Sequence, residues 1–250
     1  MSDSIPVDAI APLEHDEAML LAAAEYDRLL SLVGTLSDSD WVSPTDCIGW
    51  TVKDILGHIL GMLELQADPS ELRRQVSTAA QLAASSGRFR LDEMTALQVR
   101  EHDHLNPTAL ADALHQAAPR GLAARAALPA DRRATPYDPE LPGEHGWTIG
   151  YLFDVIHTRD PWLHRIDICR AIGREPVLSA EHDGRLIANV VADWAPRHGQ
   201  RFELQLTGPA GGRFRNGVGG TELDLDAVQF CRILSGREQG TGPLATRVSF

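Results

Sequence analysis

Lysine is almost absent from this chain: of the 23 basic residues only Lys53 is not arginine, and they face 35 acidic ones for a formal charge of −12. A surface of that sign repels a phosphate backbone, which argues against nucleic-acid binding through a basic surface and leaves only local basic patches open. Cysteine is scarce too. Cys47, Cys169 and Cys231 are an odd, scattered set with no CxxC pair. They indicate neither a disulfide framework nor a thiolate zinc site. No apolar run approaches the ~20 residues that would span a bilayer. The start, MSDSIPVDAIAPLEHDEAML, lacks the basic-then-apolar pattern of a signal peptide. The expectation is a soluble cytoplasmic protein with no membrane or nucleic-acid partner. The glycines at 211, 212, 217, 219 and 220 are followed by no GKS/T ending. They read as turns between strands, not as a phosphate loop.

With 250 residues, 43% of them hydrophobic, the chain can fill one large domain or two modest ones. Apolar residues recur at helical spacing over 14–34, ending near Gly34. After a loop rich in turn residues, Thr51 reads as an N-cap with Asp54 three residues on. A second helix is predicted over Val52–Gln66, with His58 beside its stripe of Ile55, Ile59, Met62 and Leu63. Residues 68–105 show no clear element. A third helix fits 107–127, with Pro107 near its start. Residues 129–147 carry four prolines and form a returning loop. In TIGYLFDVIHTRDPWLHRIDICRAIGR the spacing is helical, but Pro161 removes one backbone donor. The helix is either kinked there or begins anew near Thr158, and the second reading is preferred. Residues 180–198 suggest a helix ending at Pro196. RFELQLTG alternates as a half-buried strand does. LDLDAVQFCRILSGR reads as a closing helix. The fold expected is α+β, with a helical bundle over 1–175 and a small α/β domain over 176–250.

Three residues could carry chemistry together. Asp160 and His164 stand four apart and share a helix face whichever reading of Pro161 holds. His58 comes from another helix a hundred residues earlier. Two imidazoles and a carboxylate can hold a divalent metal and leave a coordination position open, as catalytic sites do. Each residue also has an ordinary reading. His58 could be a core histidine satisfied by a hydrogen bond, Asp160 an acid favoured by the helix dipole, and His164 a surface residue beside Arg165 and Asp167. His157 would share the Asp160 face in a continuous helix, but its structural reading is preferred. Arg159 and Arg165 read as ion-pairing residues. Cys47 reads as a small buried hydrophobe.

The surroundings of these residues favour the metal. Trp41, Pro44, Cys47, Gly49, Trp50, Thr51, Val52 and His58 resemble the second helix, and the segment leading into it, of the DinB-like bundle of mycothiol-dependent maleylpyruvate isomerases. TRDPWLHRIDICRAIGR resembles that family's later helix, where an acid and a histidine four apart complete the metal site. ILSGR and the closing GPLATRVSF resemble its C-terminal domain. The resemblance implies a DinB-like up-down four-helix bundle with His58, Asp160 and His164 as ligands. The metal would be zinc first among the divalent ions, with a low-molecular-weight thiol of the mycothiol type as cosubstrate. It also implies Arg237, in SGR, as the group facing a carboxylate on the substrate. The family carries glutamate where this chain has Asp160. A thiol transferase or isomerase acting on a small carboxylate-bearing electrophile is therefore expected, as monomer or homodimer. A metal-dependent hydrolase with His157 as base and a non-catalytic binding or stress protein stand as alternatives.

Overall fold

The computed structural model describes residues 4–250. The chain divides into two units. One is His15–Glu175; the other takes Pro176–Phe250 together with the described residues up to Glu14, which carry a two-residue strand, β1 (Ile5–Pro6). Ten α-helices are described, eight of them in the first unit: α1 (His15–Val33), α2 (Asp38–Trp41), α3 (Val52–Ala67), α4 (Pro69–Ser86), α5 (Arg90–His102), α6 (Pro107–Ala126), α7 (Ala130–Arg133) and α8 (His157–Ala171).

Helix α3 lies at the centre of this first unit because its sequence is apolar on nearly every face. Ile55, Leu56, Ile59 and Leu63 are fully buried. The helix starts where the sequence reading put it: Thr51 accepts the Asp54 backbone N–H, and the Asp54 carboxylate accepts the Thr51 N–H at 2.8 Å. Helices α1, α6 and α8 share a core with α3, in which Tyr26, Leu29, Leu110, Leu114 and Ile168 meet its apolar residues. Close approach needs glycine at two points. A Cβ on Gly121 would lie 2.9 Å from Leu63, and one on Gly61 would lie 2.6 Å from the side chain of Gln98 in α5.

Residues 68–105, for which the sequence shows no clear element, carry the two helices α4 and α5. Asp68 caps α4 by accepting the Ser70 N–H at 2.7 Å, and Pro69 occupies the first position. Gly87 ends α4 in the left-handed region at φ 74°. The periodicity was hard to see because α4 and α5 bury little: only Gln75 and Ala79 of α4 are fully inside.

At Pro161 the structure differs from the preferred reading. Helix α8 does begin at His157, one residue from the expected start, but it does not begin afresh and Pro161 lies beyond its first four residues. A π-helical turn, Tyr151–Ile156, runs straight into α8, and Pro161 lies within the helix. The lost donor is the one that would have bonded the His157 carbonyl four residues back. Arg125 replaces it. Its Nη1 donates to the His157 carbonyl at 3.1 Å and its Nη2 to Thr158 Oγ1 at 2.7 Å, while Thr158 donates to the Asp154 carbonyl. Burial pushes the Arg125 guanidinium down to about 10, so it is still charged at neutral pH.

The second unit builds a four-stranded sheet from β1, β4 (Phe202–Thr207), β5 (Gly212–Asn216) and β6 (Thr221–Asp226), in the order β1-β5-β4-β6. The strands β4 and β5 are antiparallel, whereas β6 runs parallel to β4 and β1 parallel to β5. A two-stranded ladder, β2 (Pro136–Tyr137) with β3 (Trp147–Thr148), belongs to the helical unit. Helix α9 (Arg185–His198) precedes β4, continues two residues past Pro196 and is closed by left-handed Gly199. Its Trp194 packs on Phe202 and, edge-on, on Phe230 of α10 (Ala227–Leu234), at ring separations of 4.8 and 5.2 Å. The segment LDLD, read as helix, is strand β6: Leu223 and Leu225 alternate with Asp224 and Asp226, a period of two. Asp226 then caps α10 by accepting the Val228 and Gln229 N–H groups. The glycines at 211–220 flank strand β5 and also supply its first residue.

Arg125→Met should remove both replacement hydrogen bonds and leave a buried carbonyl without a donor. A loss of about 2–3 kcal/mol is expected. It would be read as a lower urea midpoint at unchanged slope; an unchanged midpoint would mean that the α8 backbone does not depend on Arg125.

Candidate metal centre

Helices α3 and α8 bring His58, Asp160 and His164 together. His58 and His164 are 3% and 6% exposed. Each turns Nε2 toward the Asp160 carboxylate: His58 Nε2 lies 3.5 Å from one oxygen and His164 Nε2 3.4 Å from the other. One ligand atom from each of the three lies within 4.8 Å of the others. The Asp160 side chain is the accessible one, at 18%. The Trp50 indole is tilted against both imidazoles, with ring centroids 5.4 Å from His58 and 6.3 Å from His164.

The far nitrogens of the two rings are engaged as well. His58 Nδ1 lies 2.7 Å from Gln98 Oε1 and His164 Nδ1 3.3 Å from Asp167 Oδ2. An imidazole that donates through one nitrogen presents a lone pair at the other, which is how ligating histidines are held. The donor set fits a divalent metal of the zinc type: two imidazole nitrogens, one hard oxygen, and ligand atoms already converging.

The electrostatics agree. Burial pushes the Asp160 carboxyl upward, but the His164 and His58 imidazoles outweigh it and hold the carboxyl well below the usual range. Burial likewise pushes His164 down, yet the Asp160 charge and hydrogen bonds to Asp160, Asp167 and Cys47 hold it well above its ordinary value. Without metal the directions of both shifts put the proton on His164, beside an Asp160 anion.

The structure separates the remaining candidates. His157 is on the helix that carries Asp160, but it is not one of the converging ligands. Its Nδ1 lies 3.2 Å from Gln66 Nε2, its ring packs on Phe153 at 4.8 Å, and burial with the Arg125 charge pushes it down to about 3. It is a neutral packing residue. Arg165 pairs with buried Glu25 at 2.5 Å. Cys47 is not simply a buried hydrophobe. Its Sγ lies 3.5 Å from Asp167 Oδ2 and 3.8 Å from His164 Nδ1, so it shares the polar cluster behind His164. Arg237 belongs to the other unit. It is half-buried in the turn after α10, where its backbone N–H bonds the Arg232 carbonyl at 2.9 Å. Sequence reasoning missed Gln98 and the bond of Asp167 to His164. Asp167 had a visible signal, its place three residues after His164 on the same helix. Gln98 had none, lying in a segment with no clear element.

Comparison with known proteins places the chain in a family. The mycothiol maleylpyruvate isomerase N-terminal domain family matches residues 22–169, more than half of the chain. Two solved structures share the fold over 90% of both chains. One is mycothiol-dependent maleylpyruvate isomerase, 16% identical with a TM-score of 0.55; the other is a histidine-to-alanine mutant of that enzyme, 15% identical with a TM-score of 0.58. No curated protein sequence matches the chain.

Because His164 holds a proton in the metal-free cluster, a metal must displace it. At pH values below the raised His164 pKa, binding should release about one proton per metal, and affinity should fall about tenfold for each unit of pH lost. Titration calorimetry with zinc at pH 6.5, in buffers of different ionisation enthalpy, reads the proton release directly. Binding without proton release would contradict a His164 ligand.

Proposed function

Since the chain belongs to the mycothiol maleylpyruvate isomerase N-terminal domain family, we propose that it is a metal-dependent thiol transferase or isomerase. It would act on a small electrophile bearing a carboxylate, with a mycothiol-type thiol as cosubstrate. The observation that carries the reading is the pair of Nε2 atoms facing one carboxylate, each ring steadied from behind. His58, Asp160 and His164 would hold the metal, zinc or a similar divalent ion. The chemistry it would supply there is to favour the thiolate form of a thiol at neutral pH. Three protein ligands leave room for that thiol.

The residues around the cluster suit this use. Trp50 leans on both rings, which restricts their movement and gives an apolar wall for the thiol. Asp160 has no spare methylene to reach outward as a glutamate would, so the metal would lie closer to α8 than in a site with glutamate. Arg237 is the proposed partner of the substrate carboxylate, because a guanidinium binds a carboxylate through two parallel hydrogen bonds. The hydrolase alternative loses its candidate base. A general base works best with a pKa near the operating pH, and His157 is pushed down to about 3.

The reading is tested with metal-loaded protein, mycothiol and a panel of electrophilic carboxylates that includes maleylpyruvate. Turnover should require both thiol and metal. Turnover without thiol would favour a hydrolase, and tight metal binding without any turnover a binding protein. Asp160→Asn should lose metal and activity together, because an amide is a neutral and poorer ligand, whereas Asp160→Glu should keep both. Arg237→Ala should leave metal content unchanged and lower kcat/KM about ten- to a hundred-fold, the worth of one charge-assisted hydrogen bond. Arg237→Lys should restore only part of it.

A further inference from the structure

We propose that Gln98 is a positioning residue that fixes the tautomer of His58, and that it does so because Gln75 fixes Gln98. The functional meaning rests on His58 being a metal ligand, as proposed above; the tautomer does not. A chain of two buried amides, Gln75 and Gln98, leads to His58. Gln75 is fully buried in α4. One end of its amide lies 3.1 Å from the Gly61 carbonyl and 2.9 Å from Glu71 Oε1. A backbone carbonyl can only accept. Glu71 can only accept as well, since the hydrogen-bonded Arg74 guanidinium holds its carboxyl below the usual range. That end of Gln75 must therefore be its NH2.

Its Oε1 then faces Gln98, 2.8 Å away, and Gln98 must answer with its own NH2. This leaves Gln98 Oε1 as the atom 2.7 Å from His58 Nδ1. A carbonyl oxygen 2.7 Å away demands a proton on Nδ1 more strongly than the Asp160 carboxylate, 3.5 Å from Nε2, draws one there, so the neutral ring keeps its lone pair at Nε2. All three side chains are buried, at 0%, 0% and 3% exposure, so water does not offer an alternative partner. Gly61 takes part twice: it gives the carbonyl that orients Gln75, and its missing Cβ leaves the space that Gln98 fills. The orientation of a candidate ligand is thus set by acceptors on α3 and α4 that touch neither the ring nor a substrate.

The test uses the metal-free full chain and long-range 15N–1H correlation of its imidazoles, at alkaline pH where the rings are neutral. In the wild type His58 should show protonated Nδ1 and bare Nε2. The opposite tautomer, or an even mixture, would overturn the proposal without any variant having to fold. Gln98→Leu should release the tautomer and weaken zinc binding about 10- to 100-fold in chelator competition. Gln98→Glu keeps an acceptor and should keep the Nδ1–H form. Gln75→Leu should leave Gln98 free to present either end and give a mixture. A folded Gln98→Leu with the wild-type tautomer and zinc affinity would show that Gln98 is only packing. None of these readings needs thiol, electrophile or turnover, so they fail or hold independently of the proposed reaction.

Discussion

The candidate site depends on α8 staying helical across Pro161. The residue before a proline is pushed away from the helical region, and Asp160 is that residue. Were the helix to break there, Asp160 and His164 would no longer be stacked one turn apart, and the carboxylate would not meet both imidazoles. The chain keeps the helix by giving the freed His157 carbonyl another donor, Nη1 of Arg125. That solution requires a guanidinium buried to 1% exposure in the core of the helical unit. Burying a cation is costly unless its hydrogen bonds are made. Arg125 makes two, and a third nitrogen, Nε, has no partner.

With α8 intact, the cluster follows from charge. A single carboxylate between two imidazoles is stabilised as an anion, and in turn it holds one of them protonated. Such a grouping is stable without metal only by keeping a proton that a metal can replace. The partners behind the two rings differ in kind. His58 leans on a neutral amide, whereas His164 leans on buried Asp167 and the Cys47 thiol. The two candidate ligands are therefore held unequally. Carboxylates raise the His164 ring above its ordinary value, and the Gln98–Gln75 amides stand behind His58.

Much of this was legible in the sequence. The i, i+4 spacing of Asp160 and His164, the Thr51–Asp54 cap and the apolar stripe around His58 are local signals, and local signals survive folding. The α+β class was readable from the change of period after residue 200. Helix α4 was not readable because its contacts are largely polar, through Gln75 and surface acids, so that hydrophobic periodicity says little. The helical path through Pro161 was not readable because its cause, Arg125, lies 36 residues away in sequence. Strand β6 was absorbed into the following helix because LDLD is too short to separate two periods without knowing that β4 offers it a partner. Gln98 could not be found at all, since a glutamine becomes informative only when its neighbours are known.

The central claim is that His58, Asp160 and His164 form one open metal site that takes a thiol. X-ray absorption spectroscopy of zinc-loaded protein tests it most directly, with and without mycothiol. The expected spectrum without thiol is nitrogen and oxygen only, near 2.0–2.1 Å, with two imidazoles; adding thiol should bring in one sulfur at about 2.3 Å. A sulfur ligand already present before thiol is added would implicate Cys47 instead, and a shell that stays free of sulfur after saturation with mycothiol would contradict the account.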